Sequence, residues 1–211
     1  MAPATFQILS DLHLETHPSY DFPFRQTALN LALLGGIGHV AHNGLFQFLG
    51  GQLRRYWDVF FLLGNHEPIT CSWSAAKRRV RDFADRMEQL RARSIIGRFV
   101  FLDQTRHDVN GTLTVLSCTL SSHVAPEQAA AVGSRLIGFQ QIQDWTVGDH
   151  AEAHESDLRW LNAQVSEVVR VNPQRRIVVF THHSPTTDAR ASGEPCLVGI
   201  CHGPGGRRVL G

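Results

Sequence analysis

Four short apolar runs end in glycine or polar residues, and this punctuation constrains the fold more than any other feature. Phe6–Leu9 runs into Ser10-Asp11, residues 29–34 into Gly35-Gly36, 57–63 into Gly64-Asn65, and 177–180 into Thr181-His182-His183. Apolar runs this short, bounded by turn residues, read as buried strands. Amphipathic stretches lie between them, at 44–56, 72–93 and 149–169. In the second, Ser72 or Ser74 can cap the start, and Val80, Phe83, Met87 and Leu90 recur at helical spacing. In the third, Leu158, Leu161, Val165 and Val168 share a face, and Asn172-Pro173 closes the helix. Residues 126–142 read as helical with a break near Gly133. Arg98–Leu102 is a further strand, and Asn110-Gly111 predicts a hairpin whose second arm covers 113–120. Strands alternating with helices predict an α/β layer fold.

Composition narrows the class. The chain has 211 residues, 43% hydrophobic and 18% charged, which is enough apolar material for a packed core. Twenty Lys+Arg against 19 Asp+Glu leave a net charge of +1, so no basic footprint for nucleic acid or an anionic membrane is evident. No apolar stretch is long enough to span a bilayer, and the first residues lack the pattern of a secretory signal. Cys71, Cys118, Cys196 and Cys201 show no paired spacing, which fits free thiols in a reducing compartment. We expect a cytoplasmic protein with one domain over 1–188 and an irregular tail over 189–211. The four tryptophans, among them Trp57, are expected to pack in the core or under a lid.

The strand ends carry the chemistry. Asp11-Leu12-His13, Gly35-Gly36, Gly64-Asn65-His66-Glu67 and Thr181-His182-His183 each follow an apolar run. In layered α/β folds, ligands gather beyond the carboxyl ends of strands. Asp, Asn and His are hard-to-borderline donors that suit Mn, Fe or Zn. His66 and His183 are spare imidazoles able to move a proton or orient a phosphate. His39 and His42 read as loop or helix-start residues.

The order of these fragments resembles the calcineurin-like metallophosphoesterase superfamily, in particular its small predicted phosphohydrolase branch. SDLHLE (10–15), GNHE (64–67) and THHSP (181–185) carry the likeness, over roughly residues 5–188. The resemblance implies a two-sheet β-sandwich flanked by helices, an αββα arrangement, and hydrolysis of a small phosphoester by a dinuclear metal centre. It matches Asp11 and His13 to ligands of the first metal, and Asn65 and His182 to ligands of the second. It matches His66 to the residue beside the leaving group. His183, His202 and Glu67 are further candidates; Glu67 would orient His66 or cap the segment that follows.

Two positions depart from that pattern. The family carries a metal-bridging Asp where this chain has Gly36, and the Gly-His-x-His turn near the family's C-terminus is absent here. His202, in Cys201-His202-Gly203, is the one candidate to fill part of that turn. The fold is therefore expected to be C-terminally incomplete, and the cofactor one divalent metal rather than two. Activity is expected to be impaired. The alternative is a non-catalytic pseudo-phosphatase that binds a partner through the same cleft.

Overall fold

In the computed structural model, residues 4–136, 138–185 and 198–201 are described, the last as backbone. The chain is mixed α/β, with two four-stranded sheets and, among the described residues, five α-helices. The first sheet has the order β1 (Phe6–Leu9), β2 (Asn30–Leu34), β3 (Asp58–Leu62), β4 (Arg98–Leu102), and every pairing is parallel. β2 and β3 are almost wholly buried, as their apolar runs over 31–34 and 59–62 require when both faces of a parallel sheet are covered. Helix α1 (Asn43–Gln52) joins β2 to β3, and α2 (Trp73–Arg91) joins β3 to β4.

The second sheet has the order β5 (Thr105–Asn110), β6 (Leu113–Ser117), β7 (Arg176–Phe180), β8 (Val198–Cys201). β5 and β6 form the hairpin at Asn110-Gly111. β6 and β7 are parallel, joined across α3 (Ala129–Arg135), α4 (Gly138–Gln141) and the long α5 (Val147–Val171). β8 runs antiparallel to β7.

Three apolar clusters order the layers. Ala32, Leu34, Phe60, Leu62 and Val100 of the first sheet meet Val115 and Phe180 of the second. On the other face of the first sheet, Leu31, Leu33 and Phe61 pack against Leu45 and Leu49 of α1 and Val80 and Phe83 of α2. On the far side of the second, Leu116, Ile177 and Val179 pack against Leu161 and Val168 of α5. No helix among the described residues is long and apolar enough to cross a membrane.

Several sequence expectations need correction. The stretch 189–211 is not irregular throughout, because β8 pairs with β7 within it. Helix α1 stops at Gln52 rather than 56, since Tyr56 turns inward against the core and its hydroxyl donates to Gln7 Oε1 at 2.7 Å. The break before α4 falls at Leu136, whose extended backbone ends α3, and not at Gly133. Helix α5 begins at Val147, because Thr146 and Asp149 form a reciprocal capping box ahead of it. Trp57 is 71% exposed at the start of β3 and is not a core residue. Ser72 does cap α2, accepting from the Ala75 N–H at 3.2 Å.

Candidate functional site

The candidate residues sit on loops that leave β1, β2, β3 and β7 at their carboxyl ends. Backbone pairing continues past the strands and locks these loops together. Asp11, His13 and Leu14 donate their N–H groups to the carbonyls of Gly35, Gly36 and Ile37, at 3.0, 2.8 and 3.0 Å. To make these bonds, Asp11 (φ 54°) and His13 (φ 47°) adopt left-handed backbone that L residues avoid. Strain of this kind, held by surrounding structure, clusters where side chains must be aimed.

Glu67 holds the centre. Its side chain is fully buried and accepts from the N–H of Gly64 at 2.7 Å, Ile37 at 2.7 Å and Gly36 at 3.1 Å. It neither orients His66 nor caps the next segment, the two roles expected for it. It ties the loop after β2 to the loop after β3. Glycine is required at the crossing. A Cβ on Gly35 would lie 2.5 Å from His182 Nδ1, and one on Gly64 would lie 2.7 Å from the same ring.

The matched ligands gather as two pairs on either side of Gly35-Gly36. In the first, His13 Nε2 lies 3.9 Å from Asp11 Oδ1. In the second, His182 Nε2 lies 2.8 Å from Asn65 Oδ1, while His182 Nδ1–H donates to the Leu34 carbonyl at 2.9 Å. Both ring nitrogens of His182 thus face oxygen atoms. His202 lies outside the described residues.

A two-ion centre does not fit the described residues. Gly36 offers no ligand atom, and a Cβ there would meet Asp11 Oδ1 at 2.8 Å. Glu67, the other carboxylate at Gly36, is committed to backbone N–H groups.

Glu15 was missed from sequence. Its side chain is only 6% exposed, and Oε1 accepts from His13 Nδ1–H at 2.9 Å. His39 Nε2 and His66 Nδ1 each lie 3.8 Å from the same oxygen. The His13 and His66 rings meet edge to face with centroids 4.5 Å apart. Glu15 Oε2 is buried with no hydrogen-bond partner. The signal was present in the sequence: Glu15 follows His13 at the same two-residue spacing that separates His13 from Asp11. His39, read as a loop residue, belongs to this cluster.

Charge follows burial here. Burial pushes Glu15 up, but hydrogen bonds from His13 and the backbone, with the His39 and His13 charges, hold it below the ordinary glutamate value. Burial, then the charge of His13, holds His66 below the ordinary histidine value, against Glu15 and Glu67. Burial does the same to His39. His183 stacks edgewise on His182, and burial, then the charges of His182 and His150, takes its pKa down to about 4.

This sets the acid response of the metal-free protein. The unfolded chain protonates His183 near pH 6.5, whereas the folded chain resists until about pH 4. Its contribution to stability is complete above about pH 6.5 and is lost as pH falls toward 4. His39, His66, His107 and His150 shift in the same direction, each chiefly through burial. Burial raises Asp157, which therefore opposes the trend as it protonates. We expect the free energy of unfolding to fall by on the order of 2–3 kcal/mol between pH 7 and 4.5. Urea midpoints at the two values check this, and an unchanged midpoint contradicts it.

No family model, no curated protein and no solved structure matches the chain. The functional reading therefore stands on the geometry above and on the sequence motifs.

Proposed function

We propose that this chain is a metal-dependent phosphoester hydrolase of low turnover, working with one divalent ion on a small phosphoester. Its two facing sheets and outer helices would then be the αββα sandwich of the metallophosphoesterase kind. One observation carries the reading. Asp11, His13, Asn65, His66 and His182, on loops leaving three different strands, flank a single glycine crossing beyond the strands' carboxyl ends. Ligand sites of layered α/β folds sit there. A bound Mn, Fe or Zn ion would polarise the phosphoryl oxygens and offset their charge.

The protein supplies a rigid frame for that chemistry. Glu67 fixes the spacing of the two loops, and the strained Asp11 and His13 aim their side chains from β1's end. Cys71 and Cys118 are free thiols, which suits a cytoplasmic, reducing setting.

Gly36 favours a second reading, a non-catalytic binding protein that keeps the cleft without turnover. Hydrolysis of a chromogenic phosphodiester with and without Mn²⁺ separates the two, with His66→Ala as the control. The hydrolase reading expects Mn²⁺-dependent turnover that the control lacks. Turnover equal to the control leaves the binding protein.

A further inference from the structure

We propose that His13, Glu15 and His66 form a mononuclear divalent-metal site, and that this is where the single ion of the hydrolase reading sits. It deepens that reading by keeping His13 of the first matched pair and replacing Asp11, Asn65 and His182 as ligands. His66 becomes a ligand rather than the group beside the leaving group.

Glu15 carries an orphaned oxygen. Glu15 Oε2 is buried and has no partner, in a side chain that is 94% buried. A buried carboxylate oxygen left unpaired costs stability and calls for a ligand or ion. The partners around Glu15 are three imidazoles, not a lysine or an arginine.

The donor atoms are also spaced for one ion. His13, Glu15 and His66 can each present one donor atom with all three within 4.8 Å of one another. Glu15 Oε1 stands 2.9 Å from His13 Nδ1 and 3.8 Å from both His66 Nδ1 and His39 Nε2. Zn–N bonds of about 2.0–2.1 Å in a tetrahedral shell separate neighbouring donors by roughly 3.3 Å. The observed distances bracket that value before any ion draws them together.

Donor chemistry and a supporting carboxylate fit such an ion as well. Imidazoles with one carboxylate suit Zn²⁺, Co²⁺ or Fe²⁺, and three such ligands with a fourth replaceable position describe catalytic zinc sites. Asp11 faces the far ring nitrogen of His13 at 3.9 Å, the side on which a carboxylate orients a metal-bound histidine. The Asn65–His182 pair offers two donors alone, which hold an ion weakly.

Co²⁺ tests this without any reading of hydrolysis. Titrated into the metal-free protein, one equivalent should produce the visible absorption of low-coordinate Co²⁺. Glu15→Gln should weaken binding by about 100-fold or more, because even orienting partners of ligands are worth 10–100-fold. Asn65→Ala and His182→Ala should leave affinity within about threefold, because side chains that share no partner with the ligands act nearly independently of them. Should Glu15→Gln fail to fold, His66→Ala, at a partly exposed residue, is expected to remove the same absorption.

Equal affinity in wild type and Glu15→Gln overturns the site, as does absorption that persists in His66→Ala. Loss of binding in Asn65→Ala or His182→Ala with retention in Glu15→Gln moves the ion to the second pair and also overturns it. Co²⁺ binding that depends on Glu15 with no phosphodiester turnover sinks the hydrolase reading and leaves the site standing. Turnover with Co²⁺ binding indifferent to Glu15 does the reverse.

Discussion

Gly36→Asp is expected to raise Mn²⁺-dependent turnover by about 100-fold, equivalent to ~2.7 kcal/mol off the barrier. A Cβ at this position would lie 2.8 Å from Asp11 Oδ1 and 3.0 Å from Asp11 Cα, so Asp11 must shift for the new carboxylate to stand beside the first ligand pair. Without an ion, the two carboxylates repel. With ions, they supply the anionic bridge whose absence keeps two cations apart. The backbone there has φ +63°, which costs a side chain about 1 kcal/mol, and Asp tolerates it better than most residues. kcat/KM on a chromogenic phosphodiester at saturating Mn²⁺ measures the effect, with metal content per chain as companion. No gain in a folded variant means that the loops are not arranged for a second ion.

Glu67→Ala is expected to cost about 3–5 kcal/mol of stability and to abolish any metal-dependent activity. The substitution strips acceptors from the N–H groups of Gly36, Ile37 and Gly64, at a site with no exposure to water. Each buried donor left unpaired costs on the order of 1–3 kcal/mol. At about 2–4 °C per kcal/mol for a chain this size, the melting temperature should fall by roughly 10 °C. Glu67→Gln keeps the shape and one acceptor oxygen, and should fall between wild type and Ala. A loss below about 1 kcal/mol for Glu67→Ala would show that the loops hold themselves together without the clamp.

The sequence was most informative where one face of an element dictates its pattern. β2 and β3 are buried on both sides, so residues 31–34 and 59–62 are apolar without alternation, and the hairpin announces itself through Asn110-Gly111. β8 was harder to see, because Val198–Cys201 is short and takes its meaning only from pairing with β7. Trp57 misled, since residue type alone does not place it at an open strand start.

At the site, motif spacing located Asp11, His13, Asn65, His66 and His182, because each lies two to four residues past a strand end. It could not say which side chains meet. Glu67 looks like a site acid in the sequence, yet its partners, Gly36, Ile37 and Gly64, are backbone groups that no pattern reveals. Glu15 and His39 belong to different loops and come together only through the fold. A buried carboxylate oxygen without a partner is likewise a property of packing and not of spacing.

The most direct test is the dependence of phosphodiester turnover on added Mn²⁺, starting from metal-free protein. The single-ion account predicts turnover that rises from background along a simple one-site saturation curve. Activity that requires two ions per chain would contradict it, as would turnover that ignores the metal.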